Sequence, residues 1–118
     1  MAVSHNECDW RCRDGGFAVL KKDLLELCLL HLLTQGDRYG YELLQRLHDA
    51  FPDTQESAIY AILRGLCWDK FSEKYMGEGS GGPARKYYRL TPFGQEKYKA
   101  LLEKWRTLYA ALSELGIQ

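Results

Sequence analysis

The sequence lacks an excess of charge of either sign. Sixteen Lys and Arg balance sixteen Asp and Glu over 118 residues, so the formal net charge is zero. This excludes a strong, general positive field, and any contact with an anionic partner must come from a few placed cations. The basic residues are not spread evenly, because residues 54–91 hold six basic and four acidic side chains.

Long hydrophobic runs are also missing. The most apolar stretch, residues 24–33, is interrupted by Glu26 and His31 and is too short to span a bilayer. No apolar run follows a basic start, so we expect no signal peptide and a cytoplasmic protein with reduced thiols. The length suits one domain, or one domain with a long additional helix.

The four cysteines are poorly spaced for a metal site. His5, Cys8, Asp9 and Cys12 could be metal ligands, but their Cys-x3-Cys spacing differs from the Cys-x2-Cys spacing of structural zinc sites. We interpret residues 1–16 as a mobile arm and expect neither a metal nor another cofactor. No nucleophile has a base at a supporting spacing, so we expect no enzyme.

Residues 17–34 are expected to form a helix, with Gly36 as its stop signal. Apolar side chains fall on nearly every face of this helix, as in a helix that is covered on all sides. In so short a chain, we expect a second subunit to cover the far side. Within this helix, Cys28 is expected to be a small buried residue and His31 a hydrogen-bonded core histidine.

Two shorter helices are expected next, over residues 38–51 and 55–69. Pro52 separates them and Thr54 is expected to be the N-cap of the second, which together make a helix-turn-helix. The apolar stripe of the first consists of Tyr41, Leu44 and Leu47. In the second, Ile59, Ile62, Leu63 and Leu66 lie on one face, and Ser57, Tyr60, Ala61 and Arg64 lie on the opposite face.

Two strands, over residues 71–76 and 85–90, are expected to form a small β-hairpin. The glycine-rich segment between them lacks the Gly-Lys-Ser/Thr ending of a phosphate-binding P-loop, which argues against a nucleotide site. Alternation in the second strand puts Tyr88 and Leu90 on one face. Arg85, Tyr87 and Arg89 fall on the other.

A long helix is expected over residues 92–115, with Thr91 as its N-cap and Pro92 in its first turn. Its apolar residues follow a heptad spacing, which is typical of a helix that pairs with another helix. We favour pairing between subunits over an intramolecular core role. The heptad positions are Tyr98, Leu101, Trp105, Leu108, Leu112 and Leu115.

Two motifs in combination resemble the PadR-like transcriptional regulators. The first is Tyr-Gly-Tyr-Glu-Leu at residues 39–43, and the second is Gly-Gly-Pro-Ala-Arg-Lys-Tyr-Tyr-Arg-Leu-Thr at residues 81–91. The resemblance implies a mainly α fold with a small β-hairpin. It divides the chain into the arm, a winged helix-turn-helix domain (17–91) and a C-terminal dimerisation helix (92–118).

The resemblance also implies a homodimeric repressor that binds double-stranded DNA through the third helix and the wing, which is the β-hairpin of residues 71–90. The residues expected to contact DNA are Tyr39, Gln55, Ser57, Tyr60, Arg64, Arg85 and Lys86. The resemblance further implies a response to a small aromatic or hydrophobic effector, for which Trp105, with Leu101 and Tyr109, is the candidate platform. Dimer packing is the alternative role of Trp105.

Three residues depart from the family pattern around the end of the third helix: Gly65, Trp68 and Lys70. Gly65 weakens a helix, Trp68 stands where another cation would be expected, and Lys70 stands where a glycine would end the helix at low cost. The alternative function is therefore a winged-helix module that binds a protein or a small ligand without binding DNA.

Overall fold

The computed structural model describes residues 15–77 and 83–117. These residues form four helices and a three-stranded antiparallel sheet with strand order β1-β3-β2. In chain order the elements are α1 (Gly15–Thr34), β1 (Arg38–Tyr39), α2 (Gly40–Ala50), α3 (Glu56–Trp68), β2 (Ser72–Gly77), β3 (Arg85–Leu90) and α4 (Pro92–Glu114).

The expected two-stranded hairpin is part of a larger sheet. Arg38 and Tyr39 form β1, which pairs with Tyr88 and Tyr87 of β3, so α2 begins at Gly40 rather than at residue 38 or 39. A strand of two residues has no alternation that a sequence pattern could reveal. The expected alternation in β3 is confirmed, since Tyr88 is buried and Arg85 and Arg89 are exposed.

The hydrophobic core lies between α1, α2, α3, the first half of α4 and the sheet, and one chain covers much of α1 by itself. Leu24, Leu27 and Cys28 of α1 remain only half-buried. The expectation that a second subunit must cover one side of α1 therefore concerns this narrow strip. The buried apolar residues are Leu25, Leu29, Leu30, Leu32, Leu33, Leu43, Leu47, Ile59, Leu63, Leu66, Tyr88 and Leu101.

Two expectations about core residues were wrong. Tyr41 is 59% exposed, and Leu43 takes the core position of α2 together with Leu47, four residues later. His31 is hydrogen-bonded as expected, because its Nδ1 lies 2.8 Å from the Tyr98 hydroxyl, but it is on the surface rather than in the core. Cys28 is half-buried, and this burial raises the pKa of its thiol.

The ends of α3 also differ from expectation. Gln55 is the N-cap and makes no side-chain capping bond, whereas Thr54 is buried in the turn. At the other end, Lys70 adopts the left-handed conformation with φ of 70°. The Lys70 amide donates to the Cys67 carbonyl and the Phe71 amide to the Leu66 carbonyl, which together form a Schellman motif.

The start of α4 is fixed as expected. The Thr91 hydroxyl accepts a 2.9 Å hydrogen bond from the Gly94 amide and lies 2.8 Å from the Lys70 carbonyl. Gly94 is required here, since a Cβ at this position would lie 1.8 Å from the Phe71 carbonyl oxygen. The segment that leads into β2 is therefore tied directly to the first turn of α4.

Candidate nucleic-acid interface

The exposed face of α3 contains the polar residues that the sequence singles out. Ile59, Leu63 and Leu66 are fully buried and hold α3 against the core. Ser57 and Arg64 are exposed on the opposite side, and Tyr60 is half-buried. Because the core residues fix the rotation of α3, its small and polar side chains form a surface that a major groove could receive.

The start of α2, the middle of α3 and the beginning of β3 enclose an open groove of about 600 Å³. This aromatic groove brings together four of the residues expected to contact DNA with four others. It is lined by Tyr39, Gly40, Tyr41, Leu44, Tyr60, Arg85, Lys86 and Tyr88. Its composition combines aromatic faces, which suit sugar and base contacts, with two cations that suit phosphates.

Arg85 is held in place by the aromatic ring of Tyr39. The guanidinium carbon lies 4.9 Å from the ring centroid, within the range of a cation–π interaction. Tyr39 also approaches Tyr87, with ring centroids 6.0 Å apart. The two-residue strand β1 thus positions a cation of the wing. This role was not predicted, because a strand of two residues leaves no pattern in the sequence.

Tyr88 connects the wing to the helix-turn-helix. Its ring lies 3.2 Å from where a Cβ of Gly40 would be, and its side chain is 2% exposed. Burial raises the pKa of its hydroxyl, and the neighbouring Tyr60 and Cys67 raise it further. Tyr88 therefore gives the aromatic groove a buried floor that is uncharged at neutral pH.

The remaining expected residues lie along α3. The Arg64 guanidinium is 5.8 Å from the Tyr60 ring centroid. At the start of α3, the Ser57 hydroxyl donates to the Gln55 side-chain oxygen over 3.5 Å. Gln55 and Ser57 lie at the N-terminal end of α3 and do not line the aromatic groove. The seven expected residues therefore form a band along α3 and the wing rather than one cluster.

The base of the wing is held by a separate set of contacts. The Tyr75 hydroxyl donates a 2.6 Å hydrogen bond to the Asp37 carboxylate, and this bond raises the pKa of Tyr75. Arg89 lies over the Tyr75 ring at 4.8 Å and contacts Glu73 at 3.4 Å. Arg89 is therefore committed to the sheet, whereas Arg85 and Lys86 lie nearer the tip of the wing.

Comparison with known proteins assigns the family. Residues 29–100 match the model of the transcriptional regulator PadR-like family. The chain belongs to the PadR-like family of transcriptional regulators. Members of this family bind DNA, and the mainly helical fold with a small antiparallel sheet is its winged-helix fold.

The chain is also similar to solved structures and to one curated protein. A Streptococcus transcriptional regulator is 34% identical with a TM-score of 0.74, over 82% of this chain and 96% of that one. A PadR-like transcriptional regulator from Bacillus cereus is 32% identical with a TM-score of 0.72, over 78% and 90%. Uncharacterized protein X of Lysinibacillus sphaericus is 33% identical over 84 residues, or 69% of this chain and 77% of that protein.

Gly65, Trp68 and Lys70, the three residues expected to depart from the family pattern, line a second groove of about 610 Å³ between the end of α3 and β2. Trp68 is 85% exposed at its rim, beside Arg64 and Lys74. Gly65 is exposed as well, and apart from the neighbouring backbone of α3 no atom of the described residues lies within 4 Å of the position of its missing Cβ. Gly65 and Trp68 therefore lie on the exposed surface of α3 and not among its core residues.

The expected effector residues lie on α4, but they do not line one pocket. Leu101 is buried and Trp105 is 38% exposed, and both line a small groove against Leu24 and Leu27 of α1. Tyr109 is 55% exposed and stands one turn beyond, with its ring centroid 6.3 Å from that of Trp105.

Trp105 also borders a larger, mostly apolar groove of about 540 Å³ between α1, α2 and α4, which the sequence did not reveal. His31, Arg46 and Arg106 are the ionisable side chains that line it together with Cys28 and Tyr98. They come from three helices, so no sequence motif could have joined them.

The expected metal ligands His5, Cys8, Asp9 and Cys12 lie outside the described residues. Within residues 15–77 and 83–117, no cluster of three His, Cys, Asp or Glu side chains could hold a metal ion. In the same ranges no helix is long and apolar enough to cross a membrane.

Proposed function

We propose that this PadR-like regulator is a cytoplasmic homodimeric repressor whose DNA binding responds to a small aromatic or hydrophobic effector. The observation that supports it most is the stacking of Arg85 on Tyr39 beside Lys86 and Tyr60. A guanidinium held on a ring loses less freedom when it meets a phosphate, so the wing is prepared for an anionic partner.

Each part of this surface has a distinct expected task. Arg85 and Lys86 anchor phosphates, which fixes the register of the protein without reading the sequence. Tyr60 and Arg64 of α3 present a phenol and a guanidinium to base edges in the major groove, and Tyr39 contacts the backbone beside them. Gln55 and Ser57 carry the contact to the start of α3.

The second half of α4 supports the homodimer. Leu108 and Leu112 are about 40% exposed and Leu115 is 77% exposed, although they continue a regular heptad spacing. Nothing within the described chain covers this stripe. A second copy that packs along it would bury the stripe and place two copies of α3 on successive turns of the duplex.

The effector proposal concerns the partly exposed Trp105. A flat aromatic compound could stack on its indole ring between two copies of α4, with Leu101 and Tyr109 nearby. Binding would change repression only if the two dimer geometries, with and without DNA, differ in their affinity for the compound.

The DNA face is tested by gel shift with the duplex upstream of the protein's own gene. Arg64→Ala, and Arg85→Ala with Lys86→Ala, are expected to weaken binding at least tenfold while the dimer persists. Lys99→Ala on α4, which removes an exposed cation elsewhere, is the matched control. Equal binding by all variants would show that the DNA face has been misplaced.

The dimer and the effector need separate measurements. Leu108→Lys with Leu112→Lys should convert the protein to a monomer in sedimentation analysis and keep its helical circular dichroism. Flat aromatic compounds should quench the tryptophan fluorescence of the wild type and not that of Trp105→Phe. A wild-type monomer, or quenching that persists without Trp105, would refute the corresponding part.

A second candidate function is favoured by the exposure of Trp68. An 85% exposed tryptophan among cations is typical of a protein contact, and it suits a winged-helix module that does not bind DNA. In that case the wild type should show no salt-dependent duplex binding. A partner should be retained by the wild type and released by Trp68→Ala.

A further inference from the structure

Another groove, which we call the lysine groove, lies at the opposite end of α3 from Trp68. It has a volume of about 440 Å³ and separates the beginning of α1 from the turn that precedes α3. Lys21 and Lys22 form one side, and Asp53, Thr54 and Gln55 form the other. The two lysines were not among the residues expected to contact DNA.

The first turn of α3 has backbone amides without partners in the helix. The carbonyl of Gln55 accepts from the amides of Ala58 and Ile59, which leaves those of Glu56 and Ser57. The Gln55 side chain does not cap them. An uncapped helix start carries a partial positive charge and directs amide donors toward an anion.

Thr54 supplies an independent indication of a ligand. Its residue is 6% exposed, its amide donates to the Phe51 carbonyl, and its own carbonyl lies 3.1 Å from His48 Nδ1. Its hydroxyl is buried and has no hydrogen-bond partner within the described part of the chain. Leaving a buried hydroxyl unpaired is unfavourable, so a partner that is present only in a complex would relieve this cost.

We propose that Lys21, Lys22 and the first turn of α3 bind a phosphate of the DNA backbone, with the Thr54 hydroxyl as a further donor. The inference rests on the proposed DNA-binding function and extends it to the other end of α3. The wing cations Arg85 and Lys86 would bind the DNA backbone on one side of α3, and this groove would bind it at the N-terminal end of α3. Two separate anchors fix the angle of α3 in the major groove, which one anchor cannot do.

A phosphodiester is favoured over a small free phosphate because the groove is open and adjoins the exposed α3 face. Gln55 belongs both to this groove and to the residues expected to contact DNA. Asp53 lines the same groove, and Glu56 lies in the first turn, so both carboxylates oppose an anion. The two carboxylates lower the affinity of the groove for a lone phosphate ion. Removing one of these negative charges should therefore strengthen binding, whereas removing the lysines should weaken it.

The main experiment measures duplex affinity against salt concentration. Lys21→Gln with Lys22→Gln should lower the slope of log K against log salt by about 0.9 for each phosphate that the lysines no longer neutralise. Operator and unrelated duplexes should be weakened equally, because phosphate contacts carry no sequence information. Lys99→Gln, with the same charge change per residue on the exposed side of α4, should leave the slope unchanged.

Two further variants separate binding from folding. Asp53→Asn should tighten duplex binding, since it removes a charge that repels the phosphate. Thr54→Val should raise the melting temperature of the free protein and weaken duplex binding. If Thr54→Val stabilises the protein without changing affinity, the hydroxyl has only a structural effect and its part in the site is overturned.

Titration with inorganic phosphate at constant ionic strength distinguishes the two sources of the anion. No stabilisation by inorganic phosphate, together with a reduced slope for the lysine variant, supports a backbone site. An unchanged slope overturns the inference even if inorganic phosphate binds. If the wild type binds no duplex, the proposed function fails as well, whereas wild-type binding with an unchanged slope refutes this inference alone.

Discussion

The two halves of α4 have similar apolar spacing and opposite surroundings. In the first half, Gly94 and Leu101 are buried within the fold of one chain. In the second half, Leu108, Leu112 and Leu115 are exposed by 40%, 41% and 77%. The heptad pattern alone does not distinguish them, since it specifies which face is apolar and not what covers it.

The comparison separates two sources of stability. The first half contributes to the fold of one chain, because its contacts are already made there. The second half has apolar surface to bury but no partner within the described residues, so its contribution should depend on a second copy. The contribution of the second half to the free energy of unfolding should therefore depend on protein concentration, and that of the first half should not, because only intermolecular contacts depend on concentration.

The largest effects should come from truncating one leucine in each half. Leu101→Ala should lower the free energy of unfolding by about 2–4 kcal/mol at every protein concentration, since it leaves a cavity in the core. Leu112→Ala should lower it mainly in the concentration range where dimers form. Denaturant unfolding over a hundredfold range of protein concentration checks both variants. If the two variants depend on concentration in the same way, the halves of α4 do not differ as proposed.

A glycine substitution tests the tight junction of the first half. Gly94→Ala should destabilise the protein by about 1–3 kcal/mol, because its Cβ would lie 1.8 Å from the Phe71 carbonyl oxygen and force the backbone apart. Gly65→Ala, on the exposed surface of α3, is the matched control and should stabilise by about 1 kcal/mol. Thermal melts of both variants measure the contrast, and equal melting temperatures would mean that the junction is loose.

Lys70 offers a test with a smaller expected effect. It ends α3, and its carbonyl accepts a hydrogen bond from Thr91 at the start of α4. A lysine with φ of 70° is strained, and glycine adopts this conformation without a Cβ clash. Lys70→Gly should stabilise the protein by about 0.5–1 kcal/mol after the greater freedom of the unfolded chain is subtracted. Calorimetry checks this, with the exposed Lys99→Gly in α4 expected to be destabilising.

The smallest effect concerns pH and the packed floor of the wing. Because burial raises the pKa of Tyr88 in the folded state, its contribution to stability is present below the unfolded pKa of about 10. It is lost as pH rises through the raised value. Tyr88→Phe should therefore show a weaker loss of stability between neutral and alkaline pH, measured by urea unfolding. An unchanged pH dependence would show that Tyr88 ionises freely in the fold.

Much of the α3 surface could be predicted from local spacing. Ile59 and Leu63 lie where a hundred-degree rotation per residue puts them, and Arg64 is exposed on the other side. The family resemblance is confirmed by the comparisons, and the roles of the individual contact residues stay predictions. The stacking of Arg85 on Tyr39 was not predictable, because a two-residue strand pairs with a segment nearly fifty residues away.

The sequence by itself determined the helical segments, the alternation of β3 and the Thr91 cap of α4, because these depend on near neighbours and on backbone hydrogen bonds within a few residues. Only the tertiary structure decided that Leu43 rather than Tyr41 enters the core, that Thr54 is buried instead of capping α3, and that Lys21 faces the same groove as Gln55. Those outcomes depend on which distant elements pack together, and one-dimensional spacing carries no record of such contacts.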